Sequence, residues 1–189
     1  MKRIAILASG AGSNAANILD YFKSKPVAQV VLIASNKSDA GVLKIADANA
    51  IPTFIVTKDN FSESDEFISV LKSMQIDLIV LAGFLWKIPP QLVSLFPQRI
   101  INIHPSLLPK YGGKGMYGHF VHEAVYAARE KESGITIHWV NEHYDEGAII
   151  AQFRTPISDD DSISDIEQKV RALEIMWFPQ VIEDVLTSC

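Results

Sequence analysis

The amino-acid sequence predicts an α/β fold: a mostly parallel, twisted sheet of about seven strands with helices on both faces. Two observations support this class. Short apolar runs alternate with segments of helical periodicity, and the early runs lack the polar alternation of a sheet with one exposed face. A chain of 189 residues, 48% hydrophobic and 21% charged, has the size and composition of one globular domain. We therefore expect residues 1–189 to form a single domain.

Five strands are predicted in the first part of the chain, at residues 3–8, 29–34, 53–57, 78–82 and 100–104. Apolar residues at helical spacing predict a helix after the first strand and another before the fourth. The first set is Ala15, Ile18, Leu19 and Phe22, and the second is Phe67, Ile68, Leu71 and Met74. Ser62 and Asp65 resemble a capping box ahead of the second helix. Right-handed crossovers then place the loops after strands one, four and five along one sheet edge, where ligands of open α/β sheets bind.

The pattern changes after residue 105. A glycine-rich stretch at 111–118 leads into a helix with Val121, Ala124, Val125 and Ala128 on one face. Residues 135–140 then alternate with period two, and a second strand at 148–155 completes an antiparallel meander or hairpin. A long final helix is predicted from near Ser162, with Pro179 bending or breaking it at Phe178.

Charge and composition exclude several partners. A net charge of −5 argues against binding a phosphate backbone, so no nucleic-acid partner is expected. Apolar runs are too short to span a bilayer or to form a signal-peptide core, and the one cysteine, Cys189, allows no internal disulfide. We expect a cytoplasmic protein, a monomer or homodimer, without a membrane partner. His119 and His122 are three residues apart, but no carboxylate is spaced to complete a metal site, so no metal is expected.

The segment from Ser9 to Asn14 joins the first strand to the first helix and directs several backbone N–H groups to one point. Gly10, Gly12 and Ala15 also satisfy a loose dinucleotide fingerprint. The second strand, however, ends in Ser35-Asn36 where an acidic residue for a ribose is wanted, which favours a single phosphate. A tight turn in which glycine only allows close packing is the alternative.

Asn102 and His104 lie two residues apart at the end of the fifth strand and therefore point to the same side. Two adjacent donors there could stabilise an oxyanion, particularly with a protonated imidazole. A histidine that satisfies loop carbonyls is an equally open interpretation. Asp145, in the turn Asp145-Glu146-Gly147 between the late strands, is by itself more typical of a turn former.

Four segments together resemble the phosphoribosylglycinamide formyltransferases over nearly the whole chain. They are ILASGAGSN at the start, LAGF at 81–84, INIHPSLLPKY at 101–111 and DEGAIIAQ at 145–152. The resemblance implies a Rossmann-like formyltransferase fold with 1–100 as a phosphate-binding half and 101–189 as a catalytic and folate-binding half. It also implies 10-formyltetrahydrofolate as co-substrate, small-molecule substrates, and formyl transfer to the amine of glycinamide ribonucleotide in purine synthesis.

Site residues follow from the same resemblance. Asn102, His104 and Asp145 would be catalytic, with Asp145 raising the pKa of the imidazole and favouring its charged form. The ribonucleotide would contact Gly12, Ser13, Asn14, Ala15, Ala16, Arg171 and Glu174. The folate would contact Leu85, Trp86, Lys87, Ile88, Asn102, Asn141, Glu142, His143, Tyr144 and Asp145.

The chain departs from the family pattern in four places. Trp86 and Ser64 stand where the family often has folate-facing arginines, Phe120 stands where histidine is usual with His119 one place earlier, and 114–117 is an insertion. Three other functions stay open: 10-formyltetrahydrofolate hydrolysis, a small NAD(P)-binding reductase that uses the glycine loop, and a non-catalytic nucleotide-binding module.

Overall fold

A seven-stranded sheet forms the centre of the molecule. The structure is a computed structural model that describes residues 1–188, apart from the side chain of Glu63. Its strands are β1 (Lys2–Leu7), β2 (Ala28–Ser35), β3 (Thr53–Ile55), β4 (Leu78–Leu81), β5 (Ile100–His104), β6 (Glu132–Trp139) and β7 (Ile149–Pro156). Each predicted strand is present, and β3 ends two residues earlier than the sequence pattern suggested.

The strand order is β3-β2-β1-β4-β5-β6-β7. Strands β1 to β5 pair in parallel, whereas β5 with β6 and β6 with β7 pair antiparallel. The predicted fold class is confirmed, including the late antiparallel strands. Because β1, β4 and β5 are neighbours, the loops at their carboxyl ends meet at one edge of the sheet.

Helices cover both faces of the sheet. They are α1 (Ser13–Lys23), α2 (Gly41–Ala48), α3 (Glu66–Ser73), α4 (Pro90–Leu95), α5 (His119–Ala127) and α6 (Ile163–Thr187). Alternate residues of β1 serve two cores: Ile4 and Ile6 pack in the cluster with α1 and α6, and Ala5 and Leu7 in the cluster with α3. Burial on both faces explains why the early strands show no polar alternation.

The predicted capping box at Ser62 is wrong. Ser62 lies inside a π-helical turn, Asp59–Glu63, and α3 begins after Asp65, whose side chain makes no capping hydrogen bond. Ala128 was also placed on the face of the following helix, but α5 ends at Ala127 and Ala128 is exposed. In both cases the spacing predicted the helix correctly, but the start of α3 and the end of α5 were predicted at the wrong residues.

The predicted break at Pro179 is also wrong, because α6 runs continuously through it. Proline lacks the N–H that would donate to the carbonyl of Ile175 one turn earlier. The side-chain amide of Asn17 on α1 donates to that carbonyl instead, at 2.8 Å. At its start, Ser162 and Asp165 form a reciprocal capping box that fixes the first turn of α6.

Within residues 1–188, no helix has the length and apolar composition needed to cross a bilayer. The prediction for Cys189 lies outside the described residues.

Candidate active site

The glycine turn before α1 forms one end of a cavity. Gly12 has a left-handed backbone, φ 83°, and a Cβ there would lie 2.8 Å from atoms of Val42. The turn therefore needs glycine for both its conformation and its close approach to α2. The first residues of α1 have no intrahelical partner for their N–H groups, so Ser13 and Asn14 present donors where an anion can bind.

Ser9 links the turn to the ends of two neighbouring strands. Its hydroxyl donates to Asn36 Oδ1 at 2.6 Å, beyond β2, and accepts from the Leu85 N–H at 3.0 Å, beyond β4. Three strand ends are thus held together by one side chain that is itself buried. This arrangement fixes the shape of the cavity floor.

The cavity has a volume of about 680 Å³ and extends along the carboxyl edge of the sheet. Most of the predicted site residues line it: Gly12, Ser13, Asn14, Leu85, Trp86, Lys87, Ile88, Asn102, His104, Asn141, His143, Tyr144, Asp145 and Glu174. Four do not line it: Ala15, Ala16, Glu142 and Arg171. Of these, Ala15 is fully buried in the core and Arg171 is exposed on α6.

Asn102, His104 and Asp145 converge in the cavity although 43 residues separate the first from the last. Asn102 Nδ2 lies 3.4 Å from Asp145 Oδ1, and His104 Nδ1 lies 3.6 Å from Asp145 Oδ2. The side chain of Asp145 is only 11% exposed. An amide donor, an imidazole and a carboxylate therefore share one largely desolvated space.

The His104 ring has a defined tautomer. Its Nε2 lies 2.7 Å from the carbonyl oxygen of Tyr111, which can only accept, so Nε2 carries the hydrogen. In the neutral ring Nδ1 is then a bare acceptor beside Asp145. Burial lowers the pKa of His104 below its ordinary value of 6.5, outweighing the opposing effects of Asp145 and the Tyr111 carbonyl. Asp145 thus raises the pKa of His104 in the expected direction, but burial has the larger effect and the net shift is downward.

Asp145 has a strained backbone conformation and is hydrogen-bonded to the loop at Gly113. It has φ 56°, uncommon for a non-glycine residue, and its Oδ2 accepts the Gly113 N–H at 2.9 Å. Two residues later, a Cβ at Gly147 would overlap the carbonyl of Trp139, so the turn requires glycine there. Burial alone would raise the pKa of Asp145, but His138, His104 and the Gly113 N–H together lower it. The carboxyl is thus ionised near neutral pH.

His138 is a site residue that the sequence reasoning missed. It lies opposite Asn102 in the antiparallel pairing of β5 with β6. Its Nδ1 lies 2.9 Å from the Trp139 carbonyl oxygen, and its Nε2 lies 3.1 Å from Asn102 Nδ2 and 3.6 Å from Asp145 Oδ1. His138 thereby orients the amide of Asn102. Its period-two position on β6 was a usable signal, but only the strand register shows which residue it faces.

Glu174 and Asn14 join α6 to the glycine turn. Asn14 Nδ2 donates to Glu174 Oε2 at 2.9 Å. Burial raises the pKa of Glu174 above 4.5, although the Asn14 bond and the charge of Arg171 oppose the shift. The carboxyl is a polar acceptor positioned at the same end of the cavity as the turn.

Another part of the cavity is lined by apolar groups that follow β4. Phe84 packs edge to face against Phe61 and Trp86, at centroid distances of 5.6 and 6.5 Å, and Trp86 lies tilted against Phe61 at 6.3 Å. Leu85 and Tyr144, each 37% exposed, complete this wall. Such a surface suits a flat aromatic ligand. Ser64 is exposed and does not line the cavity.

The two histidines of α5 have different surroundings. His119 Nε2 pairs with Glu123 at 3.1 Å on the surface, whereas His122 is buried with Nδ1 unpartnered among the described residues. No group of three or more potential ligand side chains is arranged to hold a metal in the described part of the chain. Phe120 is exposed and its ring contacts Tyr117 at 5.4 Å between centroids.

The fold and cavity define an α/β enzyme class: one cavity at the carboxyl edge of the sheet is lined by an anion-binding turn, an amide–imidazole–carboxylate centre and an aromatic wall. Comparison with known proteins narrows this class. The chain belongs to the formyl transferase family, whose model matches residues 2–182.

Named relatives agree with that family. The chain is 40% identical over 187 residues to the chloroplastic phosphoribosylglycinamide formyltransferase of Arabidopsis thaliana, covering 96% of this chain and 64% of the relative. It is 40% identical over 188 residues to the phosphoribosylglycinamide formyltransferase of Haemophilus influenzae, covering 97% of this chain and 86% of the relative. The chain thus spans less than two thirds of the plant relative and most of the bacterial one.

Solved structures give the same result. The phosphoribosylglycinamide formyltransferase from Bacillus halodurans superposes with a TM-score of 0.87 at 35% identity, covering 98% of this chain and 95% of that one. Glycinamide ribonucleotide transformylase 1 from Geobacillus kaustophilus superposes with a TM-score of 0.89 at 34% identity, covering 98% and 99%.

Proposed function

We propose that this chain transfers the formyl group of 10-formyltetrahydrofolate to the amine of glycinamide ribonucleotide, giving formylglycinamide ribonucleotide and tetrahydrofolate. One observation carries the proposal: the convergence of Asn102, His104 and Asp145 in a cavity that an anion-binding turn and an aromatic wall also line. Such a cavity suits two substrates, a phosphorylated amine bound at the turn and a pterin packed against the wall. Bringing both together supplies much of the acceleration.

His104 is the proposed proton carrier. Its neutral Nδ1 accepts a proton as the amine of the ribonucleotide attacks the formyl carbon. The resulting imidazolium is stabilised by the ionised Asp145 and now has an N–H that can donate. It returns this proton to the departing folate nitrogen, and the C–N bond to the folate breaks. The bond from Nε2 to the Tyr111 carbonyl keeps Nδ1 aimed at the reacting centre throughout.

Asn102 is the proposed donor to the oxygen that becomes negative in the tetrahedral intermediate. One amide hydrogen is held by His138 at 3.1 Å, and the other makes only a long 3.4 Å contact with Asp145. The weakly bonded hydrogen is therefore available to the oxyanion at little cost, because the bond it gives up is poor.

The remaining site assignments belong to the same proposal. The ribonucleotide would contact Gly12–Ala16, Arg171 and Glu174. Ala15 and Ala16 do not line the cavity, and the Ala16 N–H already donates to the Gly12 carbonyl at 2.9 Å, so of these two only the Ala15 N–H could serve as a donor. The folate would contact residues 85–88 and 141–145. We also propose that the chain is a single domain with two halves, 1–100 and 101–189. Its partners would be small molecules, and it would be a monomer or a homodimer. A cytoplasmic location is also proposed, and two relatives described as chloroplastic define the alternative to test.

The reductase alternative is disfavoured by the end of β2. Ser35 is buried and accepts the Lys37 N–H at 3.2 Å, and Asn36 is bonded to Ser9, so this position offers no free carboxylate for a ribose. Simple hydrolysis is disfavoured by the turn and the Asn14–Glu174 pair, which a folate alone would leave unused.

One assay separates these functions. Purified protein is mixed with 10-formyltetrahydrofolate and glycinamide ribonucleotide, and the folate absorbance is followed with and without the ribonucleotide. Transfer predicts tetrahydrofolate formation only in the complete mixture, whereas hydrolysis predicts formate release without the ribonucleotide. A reductase would bind NADH or NADPH in a fluorescence titration, and a binding module would bind the ribonucleotide without turnover. Any of these last three results would contradict the proposal.

A further inference from the structure

Lys37 is a cavity residue that the proposed reaction has not used. It follows β2 directly, its side chain is exposed, and it lines the same cavity as residues 9–14. Because β1 and β2 are adjacent parallel strands, the loops at their carboxyl ends are neighbours. Lys37 therefore lies beside the glycine turn.

The loop that carries Lys37 is fixed against the glycine turn. Asn36 Oδ1 accepts the Ser9 hydroxyl at 2.6 Å, and the Val42 N–H donates to the Gly10 carbonyl at 3.1 Å. A Cβ at Gly41 would lie 3.0 Å from Ala11, so the two backbones are in close contact. Lys37 itself is anchored by its N–H to Ser35 and by its carbonyl to Ala40. Its backbone position relative to the turn is thus determined by contacts on both sides.

The charge of Lys37 is not neutralised within the described part of the protein. No described carboxylate lies within 4.0 Å of its Nζ, unlike Lys25 and Lys110, which pair with Glu183 and Glu130. The Ser9–Asn14 turn has no cationic side chain, and Arg171 does not line the cavity. Glu174 at the same end would repel a phosphate. Lys87 and Lys114 also line the cavity, but they lie after β4 and in the loop before α5, whereas Lys37 is on the loop that is bonded directly to the glycine turn. A dianion bound at the turn needs a cation, and the loop contacts bring Lys37 next to it.

We propose that Lys37 binds the phosphate of the ribonucleotide and makes the site select the phosphorylated amine over its dephosphorylated form. This proposal rests on the proposed function, because it assigns a further residue to the ribonucleotide end of the same cavity. The backbone N–H groups of the turn supply directional bonds, and the mobile ammonium supplies charge. Lys37 acts on recognition and takes no part in the chemistry at His104.

Kinetics with two substrates test the proposal. Lys37→Ala is expected to raise KM for glycinamide ribonucleotide about tenfold, the effect of losing one bond to a charged group at a partly exposed site. The kcat and the KM for 10-formyltetrahydrofolate should stay unchanged, and Lys37→Arg should restore most of the affinity. Lys44→Ala is the matched control, because it removes an equal charge from exposed α2 outside the cavity.

The dephosphorylated substrate gives the decisive comparison. Wild type and Lys37→Ala should use glycinamide riboside equally poorly, so that the substitution abolishes most of the preference for phosphate. Equal losses on both substrates, or no loss on either, would overturn the proposal.

A binding measurement keeps this test independent of turnover. Calorimetry with ribose 5-phosphate and with ribose should show phosphate-dependent binding that weakens about tenfold in Lys37→Ala and not in Lys44→Ala. If wild type binds ribose 5-phosphate in this way but transfers no formyl group, the proposed function fails and the role of Lys37 stands. If transfer proceeds and binding does not depend on Lys37, only the present proposal fails.

Discussion

The two ends of the polar part of the cavity are built differently. At the ribonucleotide end, the turn, Asn14 and Glu174 belong to or adjoin long helices whose packing fixes them. At the reacting centre, the two residues that hold His104 are Tyr111 and Asp145, non-glycine residues with φ 57° and 56° in loops. The turn and Glu174 are thus fixed by helix packing, whereas His104, itself on β5, is held by two loop residues with strained backbones. Substitutions at the first end should change affinity, and substitutions at the second should change turnover.

The largest effect is expected at the reacting centre. Asn102→Ala removes the donor to the oxyanion and should lower kcat by about 10²–10³, with little change in KM for the ribonucleotide. Steady-state kinetics on protein with an unchanged melting temperature measures this. Turnover within a few-fold of wild type would show that the centre does not use Asn102, and the contrast between the two ends would lose its main support.

A glycine pair tests the other end. Gly12→Ala places a side chain at φ 83° and 2.8 Å from Val42, so it should destabilise the fold by roughly 1–3 kcal/mol and raise KM for the ribonucleotide. Gly10→Ala is the matched control, because nothing lies within 4 Å of a Cβ there. Chemical denaturation and kinetics should separate the two variants. Equal behaviour of both would mean that the turn does not depend on its left-handed glycine.

The pH dependence of kcat/KM tests the proposed role of His104 at the reacting centre. Because burial lowers the pKa of His104 below 6.5, kcat/KM should hold down to that pH and fall only in more acidic solution, where Nδ1 becomes protonated. Asp145 opposes the effect of burial, so Asp145→Asn should move the acid limb to still lower pH, in addition to slowing the reaction. A limb that moves to higher pH in the variant would show that the sign of this coupling is wrong.

The smallest effect concerns the helix that carries Glu174. Asn17→Ala leaves the Ile175 carbonyl without its 2.8 Å donor and should cost about 1 kcal/mol in the free energy of unfolding. Asn49→Ala is the control. It removes the hydrogen bond that the Asn49 side-chain amide donates to the Ile45 carbonyl of α2 at 2.8 Å, and so measures the loss of an ordinary side-chain hydrogen bond. If affinity for the ribonucleotide falls only with Asn17→Ala, α6 is being held in place for binding.

Local patterns in the sequence were sufficient to predict most of the sheet. Apolar runs marked β1, β2, β4 and β5, and the period-two spacing of Asn102 and His104 correctly placed both at the cavity. The short helices α2 and α4 were not predicted, since eight and six residues give too little periodicity to stand out. Ser62 does not cap α3, because it lies inside the π-helical turn Asp59–Glu63 and α3 begins only at Glu66.

Long-range contacts could not be predicted from local patterns. His138 faces Asn102 only because of the β5–β6 register, and the Ile175 carbonyl that Pro179 leaves without a helical donor is bonded by Asn17, 158 residues before Ile175. The resting charge of His104 depends on a balance of burial against the effect of Asp145, which spacing does not encode. Asp145 was placed near His104 only through the family resemblance, because an Asp-Glu-Gly turn alone indicates nothing more than a bend.

Pro179 affects how far the binding site is ordered before a ligand binds. By freeing the Ile175 carbonyl, it creates a docking point for α1 on the residue that directly follows Glu174, and Asn17 lies one helical turn after Asn14. The walls around the glycine turn are therefore pinned during folding, before any ligand arrives. The conformational entropy of these residues is therefore lost on folding rather than on binding. We expect ligand binding at this end to cause little heat-capacity change beyond that from surface burial.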